Sequence, residues 1–267
     1  MNLGISSYTY TWAIGVPEQI PVEPLSYKGL IDKARQLEVG VVQVADNLPL
    51  DAMEEKDLLA YNKLAVDHEI QLEAGARGMT EANLERYIRI AELIKSPILR
   101  FVIDGSDYAP AIPTILAIIK NALPVFKEHN IVLALENYER LKASDFASIV
   151  EKIGSDYVGI CLDSVNSLGA GEGLETVVKL LGPLTVNLHV KEFQIARLDH
   201  KMGFLIEGLP AGEGMLNVPW LLEHVGKRCQ SAILEQWTPP EKKLKDTIIK
   251  EDEWAKKSIS YLKKLIL

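Results

Sequence analysis

Cysteine and histidine are scarce. The 267 residues contain two of the first and five of the second. Cys161 and Cys229 lie far apart and form no CxxC pair, which excludes a disulfide scaffold and a finger-type zinc site. Both are read as buried or partly buried thiols in a reducing compartment, so the expected location is the cytoplasm. Basic residues are also short, with 29 Lys plus Arg against 37 Asp plus Glu and a formal net charge of -8. That balance argues against non-specific binding to nucleic acid or to an anionic membrane. No run approaches the roughly 18 uncharged apolar residues of a membrane span. The opening MNLGISSYTYTW lacks the basic and apolar regions of a signal peptide and reads as a strand. No low-complexity segment or shift in composition marks a linker, so one domain over 1–267 is expected.

What remains is an ordinary globular composition, 48% hydrophobic and 25% charged. Short apolar runs alternate with longer segments of helical period. Strands are expected at Leu3–Tyr8, Gly40–Ala45, Gln71–Ala74, Ile98–Ile103, Ile131–Leu135, Val158–Leu162, Thr185–Val190 and Ala232–Gln236. Helices are expected near Leu25–Glu38, Asp51–Asp67, Glu81–Lys95, Ala111–Glu128, Ala143–Ile153, Leu174–Leu181, Pro219–Val225 and Asp246–Leu265. Eight strand-then-helix units are the pattern of an α/β (β/α)8 TIM barrel. The alternative, an open doubly wound sheet, is weakened by the lack of GxGxxG after the first strand. The longest irregular stretch runs from Glu192 to Asn217, after the seventh strand, where a loop would lie beside a barrel's active face.

Four consecutive strands end in groups able to bind metal or move protons. They are Glu136 in IVLALENYER, Asp163 in VGICLDSVN, His189 in TVNLHVKEF and Glu235 in SAILEQW. Alternation along a strand places Ala134, Cys161 and Ile233 on the face of the acids, and Leu133, Leu135, Ile160, Leu162 and Leu234 on the other. Three carboxylates in one barrel mouth repel one another, and a divalent cation offsets that repulsion. Oxygen ligands with one imidazole suit Mn2+, Mg2+, Co2+ or Zn2+. Taken singly, an acid after a strand is also a common helix cap or surface residue.

These segments resemble the xylose-isomerase-like TIM barrel superfamily, in its sugar phosphate isomerase/epimerase branch. The nearest patterns are ketose 3-epimerases, inosose dehydratase and hydroxypyruvate isomerase. The resemblance implies one divalent metal held by Glu136, Asp163, His189 and Glu235, with Glu136 and Glu235 also serving as catalytic acid and base. It further implies an Arg after the strand-seven motif, matching Arg197, and a Gly-Glu-Gly, matching Gly212, Glu213 and Gly214. Two positions depart from the epimerase pattern. Asn166 stands where those enzymes have a substrate-binding His, and Lys191-Glu192 stands where they tend to have Gly-Glu. Lys191 thus brings a cation that suits a carboxylate, a phosphate or an enolate.

The expected function is divalent-metal-dependent isomerisation or epimerisation of a ketose or related carbohydrate, by proton abstraction beside a carbonyl through an enediolate. The alternative is a metal-dependent lyase or dehydratase of a keto-sugar, inosose or dehydroshikimate-like acid. A barrel keeping only a binding role is the non-enzymatic reading. The superfamily's three-metal DNA-repair endonucleases need more His and acidic ligands than this chain has. Expected substrate contacts are Arg197, Asn166, Lys191, Glu192, Asn137 and Trp12. Arg197 is otherwise a surface residue paired with Glu192 or Asp199, and the two asparagines otherwise cap turns. Arg100, an odd charge in strand four, points into the mouth or pairs with Glu73. The partner is a small carbohydrate, with no nucleic acid or membrane, and the family suggests a homo-oligomer.

Overall fold

The computed structural model describes residues 1–267. Eight parallel strands close into a barrel: β1 (Asn2–Ser6), β2 (Val41–Val44), β3 (Gln71–Arg77), β4 (Ile98–Val102), β5 (Val132–Glu136), β6 (Val158–Asp163), β7 (Thr185–Lys191) and, after a two-stranded hairpin of β8 (Phe193–Arg197) and β9 (Phe204–Gly208), β10 (Ser231–Glu235). Pairing of β1 with β10, from Asn2 opposite Ser231 to Ile5 opposite Leu234, closes the ring. Closure removes the open doubly wound alternative.

The helices are α1 (Thr11–Ile14), α2 (Tyr27–Leu37), α3 (Glu55–Asp67), α4 (Glu81–Leu93), α5 (Ile112–His129), α6 (Ala143–Ile153), α7 (Leu174–Leu181), α8 (Val218–His224) and α9 (Leu244–Ile266). Local chemistry sets their ends. Ser26, Thr80 and Asn217 accept the first free amides of α2, α4 and α8. Glu38, Asn130 and Gly154 close α2, α5 and α6 in the left-handed conformation. No helix is long and apolar enough to cross a membrane.

Strand alternation sorts the core. Leu133, Leu135, Ile160, Leu162 and Leu234 join the large cluster between sheet and helices. Ala134 and Cys161 belong to a small separate cluster with Ile98 and Val186, inside the barrel. The barrel interior also holds a polar layer. Glu73 Oε1 accepts from Ser231 Oγ at 2.6 Å, and its Oε2 accepts from Gln43 Nε2 at 2.9 Å and Asn187 Nδ2 at 3.2 Å. Those donors meet the demand of a carboxyl that burial pushes up from its ordinary value.

Three sequence expectations are corrected. The first strand stops at Ser6, and Ser7–Tyr10 forms a 3-10 turn because Ser6 Oγ accepts from Tyr8 N at 2.8 Å. Tyr8 therefore lies in that turn instead of ending the strand, and Trp12 follows beyond it. Thr11–Ile14 forms a short helix that the sequence reading lacked. The Glu192–Asn217 stretch is not wholly irregular, since β8 and β9 pair antiparallel from Phe193 opposite Gly208 to Arg197 opposite Phe204.

Candidate metal centre and cavity

The four strand-end groups meet around His189. Its Nδ1 lies 3.4 Å from Glu235 Oε1, 3.6 Å from Glu136 Oε2 and 3.9 Å from Asp163 Oδ2. All four side chains are buried. Gln43 donates its amide hydrogens to Glu73 and Asn187, so its oxygen accepts from His189 Nε2, 2.7 Å away. Gln43 thereby fixes the ring with its Nε2 hydrogen as donor, and Nδ1 faces the three carboxylates. His189 Nδ1 has no hydrogen-bond partner, and Asp163 Oδ2 meets only the Lys191 ammonium.

Two cations lie beside the acids. Arg100 Nε bonds to Glu136 Oε2, and Arg100 NH1 donates to Asp46 Oδ1 at 2.8 Å. Lys191 Nζ sits 2.8 Å from Asp163 Oδ2 and 2.9 Å from Glu235 Oε2 at ion-pair range. Burial alone would lower the Lys191 ammonium, but Asp163, Glu235 and Glu136 more than offset it and hold the group charged. Burial likewise pushes the Glu235 carboxyl up, yet His189, Lys191 and Arg100 bring it well below the usual carboxylate range. For Glu136 burial wins, and its carboxyl is raised despite Arg100.

The remaining oxygens are committed. Asp163 Oδ1 accepts from Val165 N and Asn166 N, both at 2.8 Å. Glu136 Oε1 accepts from Asn166 Nδ2 at 2.9 Å, and Glu235 Oε1 accepts from Ser6 Oγ at 3.1 Å.

A divalent metal fits these residues. Donors about 2.1 Å from one centre stand roughly 3.0 to 4.2 Å apart in common geometries. The separations from His189 Nδ1 fall in that span, and Nδ1 itself has no hydrogen-bond partner. Asp163, His189 and Glu235 form one tight trio, and Glu136 forms another with His189 and Cys161. Cys161 Sγ donates to Asn187 Oδ1, and burial raises its thiol far above the ordinary value, which leaves it a poor ligand.

Above these groups opens a cavity of about 600 Å3, lined in part by Tyr8, Trp12, Asn166, Lys191 and Trp237. Trp12 Nε1 donates to Thr238 O at 2.8 Å, which turns the indole body toward the cavity. Glu251 of α9 fixes the backbone beneath, accepting from Trp12 N and Ala13 N at 2.9 and 3.0 Å. Arg77, 3.2 Å from Asp46, and the tips Leu205 and Ile206 of β9 complete the rim.

Three expected substrate contacts have other surroundings. Asn137 bridges β5 to β6, accepting from Asp163 N and donating to Asp163 O and Ser167 Oγ. Glu192 follows Lys191, so its side chain takes the opposite face. Its carboxylate accepts from the amides of Phe193, Gly212 and Leu216. The Gly-Glu-Gly turn serves that contact, since a Cβ on Gly214 would come 2.5 Å from Glu192 Oε1. Arg197 lies exposed on the hairpin, stacked 4.5 Å from the Phe204 ring, and donates to Lys201 O. None of the three lines the cavity.

The sequence left Arg100 between the mouth and Glu73, and it left out Gln43, Asn187 and Asp46, which shape the site. Arg100 pairs with Glu136 and Asp46 and not with Glu73, because Ser231, Gln43 and Asn187 already satisfy Glu73. Gln43 and Asn187 carry a readable signal, each being a polar residue at an inward position of an apolar strand. Asp46, just after β2, gives only the weak signal of an acid beyond a strand.

Residues 31–265 match the family model described as xylose isomerase-like TIM barrel. A protein of Pectobacterium atrosepticum named 3-oxo-isoapionate decarboxylase is 32% identical over 264 residues, which is 98% of this chain and 95% of that protein. A D-psicose 3-epimerase from Clostridium cellulolyticum H10, solved with D-tagatose, superposes with a TM-score of 0.74 at 12% identity, covering 100% of this chain and 99% of that one. A xylose isomerase-like TIM barrel protein from Mycobacterium smegmatis, solved in complex with magnesium, gives 0.66 at 12% identity over 97% of each chain. At those identities the two structures speak for the fold alone. With the match over most of its length and the closed barrel together, the chain belongs to the xylose isomerase-like TIM barrel family.

Proposed function

We propose that the protein is a metal-dependent lyase that decarboxylates a 3-oxo sugar acid. The observation that carries this reading is the pairing of both strand-end glutamates with cations, Arg100 on Glu136 and Lys191 on Glu235. Epimerisation needs two free carboxylates on opposite faces of the substrate, one to take a proton and one to return it. Decarboxylation needs no base at carbon. It needs an electron sink, a seat for an anion and one proton donor. The 32% identity to a protein named as a 3-oxo acid decarboxylase supports the same chemistry.

Charge agrees with an acidic substrate. At the ligand end, Glu136, Asp163, Glu235 and Asp46 face Arg100, Lys191 and Arg77, four negative groups against three positive. A divalent ion turns that excess of one negative charge into one positive. Glu136, Asp163, His189 and Glu235 would hold the ion. When bound, it supplies a Lewis acid for the 3-oxo group and for the negative charge that develops there.

The chain's own residues do the rest. Trp12 and Trp237 wall the cavity, and the Asn166 amide can bond a substrate hydroxyl. The bond between carbons 1 and 2 breaks, its electron pair moves into the carbon 2–carbon 3 enolate, and CO2 leaves. Carbon 2 then takes a proton. Lys191 Nζ is the donor on the cavity wall, since Asn166 and Arg100 occupy both oxygens of Glu136. Water returns a proton to the amine and leaves as hydroxide, so the net change is carboxylate plus water to product, CO2 and hydroxide.

The test supplies a carboxyl-labelled 3-oxo sugar acid and, separately, a panel of ketoses, both in heavy water with Mn2+. The proposal expects labelled CO2 and one deuterium on carbon 2 of the product, with no exchange into the ketoses. Deuterium entering a ketose without CO2 release from the acid would overturn it in favour of an isomerase or epimerase.

A further inference from the structure

We propose that Lys191 is a built-in counter-cation that competes with the divalent metal for the free oxygen of Asp163, and so sets how tightly the centre holds its ion. The inference rests on the metal reading of the site given above, and not on which substrate bond breaks.

Strand geometry makes the placement obligatory. Lys191 ends β7 two residues beyond His189, on the same face, and lies opposite Glu235 of β10 in register. A lysine there has its stem directed up the barrel axis and its ammonium among the ligands. The oxygens it meets are the uncommitted ones. Asp163 Oδ1 is taken by two backbone amides, which leaves Oδ2 for any cation, and Lys191 Nζ is 2.8 Å from it. Glu235 Oε1 accepts from Ser6, and Oε2 is 2.9 Å from Lys191 Nζ. A metal facing His189 Nδ1 must draw on the same Asp163 oxygen.

Two like charges converging on one oxygen inside a buried site repel strongly for as long as the ammonium stays close by. A second seat is at hand, because the face of Trp237 lies 5.7 Å from Nζ on the cavity side. Loading the ion therefore drives the ammonium toward the space where a substrate carboxylate would sit. The arrangement couples the two ligands, with an organic anion binding well only after the metal has freed the lysine.

The experiment measures Mn2+ affinity calorimetrically for the wild type, Lys191→Met, Lys191→Gln and Lys191→Arg, with the thermal midpoint of each read with and without Mn2+. Removing the charge is expected to tighten Mn2+ binding at least tenfold in both neutral variants and to enlarge their Mn2+-induced rise in midpoint. The arginine variant keeps the charge and is expected to bind Mn2+ within threefold of the wild type. Equal or weaker binding in both neutral variants overturns the proposal, as does equal tightening in the arginine variant. Failure of all four proteins to bind Mn2+ overturns the metal reading along with it. The unliganded melts show whether each variant is folded, and glutamine, which keeps a hydrogen-bonding head, covers the case in which methionine is not.

Discussion

Replacing Glu251 by glutamine isolates a buried carboxyl that holds one wall of the cavity in place. Glu251 lies on α9, is 1% exposed, and accepts from the amides of Trp12 and Ala13. Burial raises its carboxyl from an ordinary 4.5 to about 7, even though those two amides and Lys33 favour the charged form. The folded protein therefore keeps a proton that the unfolded chain releases between these values. The stability this contributes is fully present below pH 4.5 and is lost as pH rises through 7. A shift of that size is worth about 3 kcal/mol, of which about 2.5 kcal/mol falls between pH 5 and pH 8. The glutamine variant lacks the titration. Urea unfolding at both pH values should show the stability difference, wild type minus variant, falling by about 2.5 kcal/mol on going to pH 8. Subtracting the variant cancels the carboxyls common to both proteins. A difference constant to within about 0.5 kcal/mol would refute the reasoning.

Three further outcomes follow from the same structure. Gln43→Leu removes the acceptor of His189 Nε2 and a donor to Glu73; it should cost about 2–4 kcal/mol in urea unfolding and weaken Mn2+ binding by about 10–100-fold. Arg100→Met leaves Glu136 and Asp46 without the guanidinium they share; a loss of about 3–5 kcal/mol is expected, and calorimetry at neutral pH checks it. Glu192→Ala strips three backbone amides of their acceptor; limited proteolysis should then cut the Phe193–Leu216 segment faster, with a loss of about 2–4 kcal/mol in overall stability.

The barrel was legible because its strands are short apolar runs spaced by helical segments, and periodicity reports both. The meeting of Glu136, Asp163, His189 and Glu235 was legible because each lies at or near the end of a strand on the inward face. Sequence spacing reports less about side chains that meet across the ring. Arg100 is in register with Gly75 on one side and Ala134 on the other, so both Glu73, lower on β3, and Glu136, higher on β5, lie within reach. Only the filled hydrogen bonds of Glu73 decide between them. Lys191 and Glu192 were both expected to meet substrate, though neighbours in a strand face opposite ways, and the structure gives the cavity to the lysine. Arg197 follows the family spacing, yet the hairpin carries it out to Phe204. That hairpin was read as irregular because its Gly203 and Gly208 look like loop residues. Gly208 in fact marks a close approach, where a Cβ would come 2.3 Å from Trp237 O.

The central claim is that Glu136, Asp163, His189 and Glu235 form one metal centre. The amount of Mn2+ retained per chain after soaking and desalting tests it most directly, measured for the wild type beside Asp163→Ala. Removing Asp163 takes away the oxygen nearest Lys191 and a member of the tight trio with His189 and Glu235. The account predicts about one ion per chain in the wild type and almost none in the variant, with both proteins folded. No retained Mn2+ in the wild type, or equal retention in the two, would contradict it.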